Sequence, residues 1–191
     1  LLSYALAAKR AASARKQHAA AGRHIPSFLI ASITNRCNLH CAGCYARANH
    51  ICDDETSESL LTDEDWTKIF DQAAQIGVSF ILLAGGEPML RRGVLESAAK
   101  HREILFPVFT NGTLLSDSAL ELIDANRNLV PIVSIEGDRM QTDARRGAGT
   151  YDKLAANMER MREKGILFGA SVTLTTENIR TVTGEAFLEQ M

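Results

Sequence analysis

From Phe28 onward the chain alternates short apolar runs with segments of helical spacing, and that alternation narrows the folds open to it. Phe28-Leu-Ile-Ala-Ser-Ile33 has the length and character of a strand, and residues 78–83, 104–109, 129–134 and 166–174 repeat the pattern. Helical spacing fills the gaps. Residues 61–76 carry Thr62 and Asp65 three apart, a capping-box start with Asp in place of Glu or Gln. Residues 92–102 read as helix, Ser116 caps another to about Asn126, and a third runs from Thr150 to about Lys164, ended by Gly165. A last helix is expected from near Thr183. Pro107 and Pro131 fall within two of the strands, where a missing N–H weakens a ladder. Strands apolar nearly throughout are covered on both faces, and strands alternating with helices form parallel βα units. The expected class is α/β.

At 191 residues the chain can bury one sizeable core. A net charge of −2 makes no case for nucleic acid or a membrane surface, and no apolar run approaches the roughly 20 residues of a membrane helix. Residues 1–22 are alanine-rich, with Lys9, Arg10, Arg15 and Lys16 and no acid. Leu2 and Leu6 stand at helical spacing, which reads as a helix packed beside the main domain; the rival is a transit peptide or basic arm. The expected division is 1–24 as an N-terminal helical extension and 25–191 as the core. The chain opens on Leu1 and closes within a helical stretch, so a core incomplete at its C-terminal end is expected.

In parallel βα folds, functional groups gather in loops at the C-terminal ends of the strands. The unusual residues all fall there. The run Arg36-Cys-Asn-Leu-His-Cys-Ala-Gly-Cys-Tyr45 follows the first strand, and Gly85-Gly86-Glu87-Pro88 the second. Thr110-Asn111-Gly112 follows the third, Ser134-Ile135-Glu136-Gly137 closes the fourth, and Thr175-Thr176-Glu177-Asn178 follows the fifth. Cys37, Cys41 and Cys44 crowd three thiols into one short loop, and Cys52 lies eight residues on. That bunching fits metal ligation in a reducing, cytoplasmic compartment better than a disulfide framework. Thiolates favour iron–sulfur or zinc over hard cations.

The Cys-x3-Cys-x2-Cys run, with Gly-Gly-Glu-Pro about 40 residues later and then Thr-Asn-Gly and Ser-Ile-Glu-Gly, resembles the radical S-adenosylmethionine (radical SAM) superfamily over roughly residues 28–180. The stretch from Ser134 through Arg146-Gly147 to Asn178 is most similar to the branch with SPASM or twitch extensions. The resemblance implies a partial parallel (β/α)6 barrel, here truncated after about five βα units. It implies that Cys37, Cys41 and Cys44 hold a [4Fe–4S] cluster whose open iron binds S-adenosylmethionine. One electron then cleaves the sulfonium, and the resulting radical abstracts hydrogen from an organic substrate, a peptide or protein side chain or a cofactor precursor. By the same resemblance Gly85 and Gly86 bring backbone close to the methionine, Glu87 meets its ammonium, and Ser134 contacts the methionine or ribose. Arg146 pairs with the carboxylate, with Arg145 as the neighbouring alternative. An electron donor such as flavodoxin or ferredoxin is the implied partner. Relatives place an aromatic residue before the third cysteine; here Gly43 stands there, and Tyr45 is the adjacent aromatic.

Other readings stand beside this one. An activating enzyme that installs a glycyl radical on a protein would use the same loop. A zinc or iron–sulfur module without catalysis would recruit His40 or His50 as a further ligand. Cys52 reads as a thiol outside the cluster, with a second cluster as its rival. His50 and His101 read as surface or loop histidines, Thr110-Asn111-Gly112 as a turn, and Met158 and Met161 as core. Arg146-Gly-Ala-Gly149 lacks the lysine and context of a phosphate loop.

Overall fold

The computed structural model of the chain describes residues 2–52 and 60–190. Leu1, residues 53–59 and Met191, which the expected division at 24/25 includes, lie outside the described residues. The order of elements is α1 (Leu2–Ala20), β1 (Phe28–Thr34), α2 (Tyr45–Ala48), α3 (Asp63–Ile76) and β2 (Phe80–Gly85). A 3-10 turn (Pro88–Leu90), α4 (Arg92–Lys100), β3 (Phe106–Thr110), α5 (Asp117–Ala125) and β4 (Leu129–Ser134) follow. The described chain ends with α6 (Arg139–Arg146), α7 (Thr150–Glu163), β5 (Gly169–Ser171), α8 (Ile179–Val182) and α9 (Glu185–Gln190). None of the described helices is long and apolar enough to cross a membrane.

Among the described residues the strands form one sheet in the order β1-β2-β3-β4-β5, and every neighbouring pair is parallel. Each crossover therefore steps in the same direction, as in a barrel, with no reversal of the kind that marks a doubly wound sheet. The α/β class and the partial barrel are as the sequence implies. Register sorts the side chains into two faces. Ala31, Ile33, Ile81, Leu83, Phe106, Val108, Leu129 and Val133 lie beneath the helices and join Trp66, Phe70, Leu95, Leu120, Leu154, Met158 and Met161 in the main core. The opposite, lumen-side face carries Phe28 opposite Phe80 and Ile30 opposite Leu82, and Ile30 is 66% exposed.

β3 begins at Phe106, two residues later than expected, and the starts of β2 and β5 are delayed for one shared reason. α3 ends at left-handed Gly77, and the Val78 N–H returns to the Ala73 carbonyl at 2.9 Å. α7 ends likewise at Gly165, and the Ile166 N–H returns to Met161 at 2.8 Å. These 6→1 bonds consume the first apolar residues after each helix, so β2 begins at Phe80 and β5 at Gly169. β5 also stops at Ser171, because the Thr173 and Thr175 N–H groups bond the side chains of Glu136 and Asn178. The terminal helix divides into α8 and α9.

Pro107 sits in the interior of the sheet without breaking it. The Phe106 N–H bonds Asn128 on the β4 side, so by alternation the missing donor of Pro107 faces β2. There the paired register within the strands is thin, Leu83 with Val108 alone. His101 is buried, against the surface reading: its ring nitrogens lie 2.9 Å from the Ser97 carbonyl and 2.9 Å from Asp71 Oδ1. Phe70 packs edge-on against both His101 and Phe106. α1 lies along α3, where the Arg15 guanidinium donates to the Gly77 carbonyl.

The two sheet faces make a stability test. Leu83→Ala should cost about 2–5 kcal/mol in urea unfolding. Ile30→Ala on the lumen-side face should stay within about 0.5 kcal/mol. Equal losses at the two positions would contradict the assignment of the core to the helix-covered face.

Candidate active site

All five strands end on one rim, and the structure ties the loops of that rim to one another. The cysteine loop leaves β1 and is held against β2 by backbone contact. The Gly86 N–H donates to Thr34 O and the Glu87 N–H to Arg36 O, both at 2.8 Å. A Cβ on Gly85 would collide with the Thr34 carbonyl, and one on Gly86 with the Arg36 carbonyl. The glycine pair thus lacks side chains where the cysteine strand passes closest.

Glu87 also differs from its expected role. It is fully buried, and its carboxylate accepts from Met89 N–H (2.9 Å), the Thr110 hydroxyl (2.8 Å) and Asn111 N–H (2.7 Å). The side chain is turned inward and joins the loops after β2 and β3, so it is not placed to meet an ammonium group. Burial pushes its carboxyl above the usual range, although the hydrogen bonds from Asn111, Met89 and Thr110 pull the other way.

Thr110-Asn111-Gly112 does more than turn the chain. Asn111 Nδ2 donates to Asn38 Oδ1 at 2.8 Å and lies 3.9 Å from Cys37 Sγ. Asn38 Nδ2 in turn donates to Thr113 Oγ1 at 2.9 Å. Within the cysteine loop, the Arg47 guanidinium gathers the carbonyls of Leu39 and Cys37.

The far side of the loop is met by α6, a helix that apolar spacing does not predict. Its start carried a signal: Asp138 and Gln141 form a complete capping box. The last turn of α6 presents Arg145 and Arg146. Arg146 Nη2 pairs with the buried Glu136 carboxylate, and Arg146 Nη1 lies 4.0 Å from Cys41 Sγ. Arg145 Nε lies 3.3 Å from the same carboxylate, and the Arg145 carbonyl accepts the Ala42 N–H at 2.7 Å. Of the expected site residues, Arg146 and Cys41 therefore come together. Ser134 is half-buried at the end of β4, opposite Ser171 of β5. Tyr45 is exposed. Asn111, expected only as part of a turn, and Glu136 and Asn38, which the motifs contain, all make contacts at the site.

Cys37, Cys41 and Cys44 are each half-buried, Cys52 is buried, and no disulfide joins them. Burial raises the Cys37 and Cys41 thiols, while Arg146 and Arg145 pull Cys41 back down. Among the described residues no group of three His, Cys, Asp or Glu side chains is gathered closely enough to hold a single metal ion. An iron–sulfur cube takes one thiolate per iron, so its ligands stand apart, and N–H donors near the sulfurs suit it. The donor set of this loop fits such a cube.

A family model described as the radical SAM superfamily matches residues 31–185. The chain belongs to the radical SAM superfamily. It is 34% identical over 158 residues to the Fe-coproporphyrin III synthase of Methanosarcina barkeri, covering 81% of this chain and 38% of that protein. It is also 34% identical over 136 residues to the PqqA peptide cyclase of Rhizobium meliloti, covering 69% of this chain and 35% of that one. SuiB of Streptococcus suis, solved with S-adenosylmethionine bound, matches with a TM-score of 0.69 at 20% identity, covering 81% of this chain and 36% of that chain. That likeness is one of fold. The relatives of this radical SAM chain include enzymes of the SPASM/twitch type, and the chain spans little more than a third of the length of these three.

Two measurements probe the rim. Gly86→Ala should cost about 1–3 kcal/mol in stability, because the new methyl group must displace Arg36, and iron uptake by the cysteine loop should fall with it. For Glu87 the sign follows from its raised folded pKa: its contribution is complete below the unfolded value of 4.5 and is lost as pH rises through the raised value. Glu87→Gln should therefore gain on the wild type in unfolding free energy as pH rises from 4.5 towards neutrality; a flat or opposite difference would refute the assignment.

Proposed function

We propose that this chain is the core of a radical SAM enzyme in which Cys37, Cys41 and Cys44 hold a [4Fe–4S] cluster that serves reductive cleavage of S-adenosylmethionine. The observation that carries this reading is the loop itself: three half-buried thiols on the catalytic rim, with Asn111 and Arg146 N–H groups aimed at two of the sulfurs. When bound, the cluster supplies the electron for cleavage, and hydrogen abstraction from an organic substrate follows.

The protein's own groups would position and shield that chemistry. The backbone of Gly85 and Gly86 and the Ser134 side chain would contact the methionine and ribose. Arg146 is engaged with Glu136, and its remaining nitrogen faces the cysteine loop, where a carboxylate ligand could share it. The substrate is proposed to be a peptide or protein side chain or a cofactor precursor, a range supported by relatives named as a peptide cyclase and a coproporphyrin synthase. An electron donor of flavodoxin or ferredoxin type would complete the system in a reducing, cytoplasmic compartment. Residues 25–191 would carry the core, and 1–24 an appended helix.

Anaerobic reconstitution with iron and sulfide, reduction, and addition of S-adenosylmethionine should yield 5′-deoxyadenosine and methionine. Cys41→Ala should abolish both products. A chain that binds zinc and leaves S-adenosylmethionine intact would overturn the proposal.

A further inference from the structure

Glu136 stands two residues beyond the end of β4 and is 1% exposed. All its polar groups are occupied inside the protein. Oε1 accepts from Arg146 Nη2 and lies 3.3 Å from Arg145 Nε, and Oε2 accepts the Thr173 N–H at 3.2 Å. Its backbone N–H donates to the Thr142 hydroxyl (3.2 Å), and its carbonyl accepts from Asn178 Nδ2 (3.0 Å). A carboxylate so enclosed does not reach for a ligand; it acts on the two arginines.

Those arginines meet three successive residues of the cysteine loop. Arg146 Nη1 lies 4.0 Å from Cys41 Sγ. The Arg145 carbonyl takes the Ala42 N–H at 2.7 Å. Arg145 Nη1 occupies the space over Gly43, 3.5 Å from where a Cβ would stand. The two guanidiniums are mostly buried, with side chains 24% and 11% exposed, and they sit side by side. Without an anion between them they would repel, and a buried charge stripped of its partner is strongly unfavourable. The arrangement is sensitive for a second reason: Nε of each arginine is buried without a hydrogen bond, and Arg145 meets the carboxylate only as an ion pair at 3.3 Å.

We propose that Glu136 is a positioning residue for the cysteine loop: by pinning Arg145 and Arg146 on one buried carboxylate, it holds the end of α6 against Cys41, Ala42 and Gly43. Its consequence for cluster binding rests on the function proposed above; its geometry does not. The sequence around it gives the device a simple form. Glu136 lies two residues after β4, a helix of eight residues follows, and the two arginines end that helix, so one short element returns to the carboxylate that precedes it.

Hydrogen exchange in the iron-free chain reads this directly. Glu136→Gln keeps the size and removes the charge. It should speed exchange of the Ala42 amide about tenfold or more, leaving the strand amides of Ile81 and Phe106 unchanged. Arg146→Gln should act the same way, and the double variant should add nothing further. Glu136→Asp should fall between wild type and Glu136→Gln. On anaerobic reconstitution, both single variants should take up less iron and sulfide per chain than the wild type. Unchanged Ala42 exchange in Glu136→Gln overturns the proposal. Acceleration shared equally by Ile81 and Phe106 also overturns it, because that marks a general structural role. If Glu136→Gln does not fold, Arg146→Gln breaks the same ion pair and decides the matter by the same amides. A wild-type chain that assembles no cluster would sink the proposed function and leave the Ala42 result to stand or fall by itself.

Discussion

The buried carboxylate of Glu87 accepts three hydrogen bonds from two different loops, and its own N–H reaches a third. Few side chains in the molecule join so much. Desolvation makes such a group unfavourable unless its lone pairs are filled, so the geometry of every donor around it is constrained. The Arg36 carbonyl, the Met89 and Asn111 amides and the Thr110 hydroxyl must all converge. That convergence fixes where the cysteine loop starts, and the glycine pair before Glu87 lets the strands come close enough for it to happen.

A second buried carboxylate, Glu136, serves the opposite side of the loop. The first acts through neutral donors and the second through guanidiniums, and the cysteine loop runs between them. Cys37 lies toward the Asn111 side and Cys41 toward the Arg146 side. Both sulfurs thus have N–H groups near them from elements far away in sequence. Such donors stabilise thiolates bound to metal and tune the potential of an iron–sulfur cluster. The loop is held both by its own contacts, such as Arg47 on the Cys37 and Leu39 carbonyls, and by groups from the ends of β2 and β3 and from α6.

The apolar runs mark all five strands, because the helix-covered face must be apolar and the opposite face is apolar at positions such as Phe28 and Ile30 as well. Their limits were less legible. Residues 78 and 166 are apolar and stand where a strand could begin, yet the preceding helices claim their N–H groups. α6 was overlooked because it is polar over most of its length, and polar helices carry no apolar period; only its capping box announced it. The family resemblance implies that Glu87 meets the ammonium group of a ligand. Burial, which no single sequence displays, turned it into a structural tie.

The order of residues along the chain therefore decided the βα alternation, the common rim and the three thiols in one loop, since these follow from local period and spacing. It also left a family signature strong enough to assign the radical SAM superfamily. Which carboxylate faces inward, which arginine meets which sulfur, and why two glycines stand together were settled only by tertiary structure. Those are contacts between residues tens of positions apart, and their energies depend on burial and distance that arise only when the sheet has curled and its loops have met.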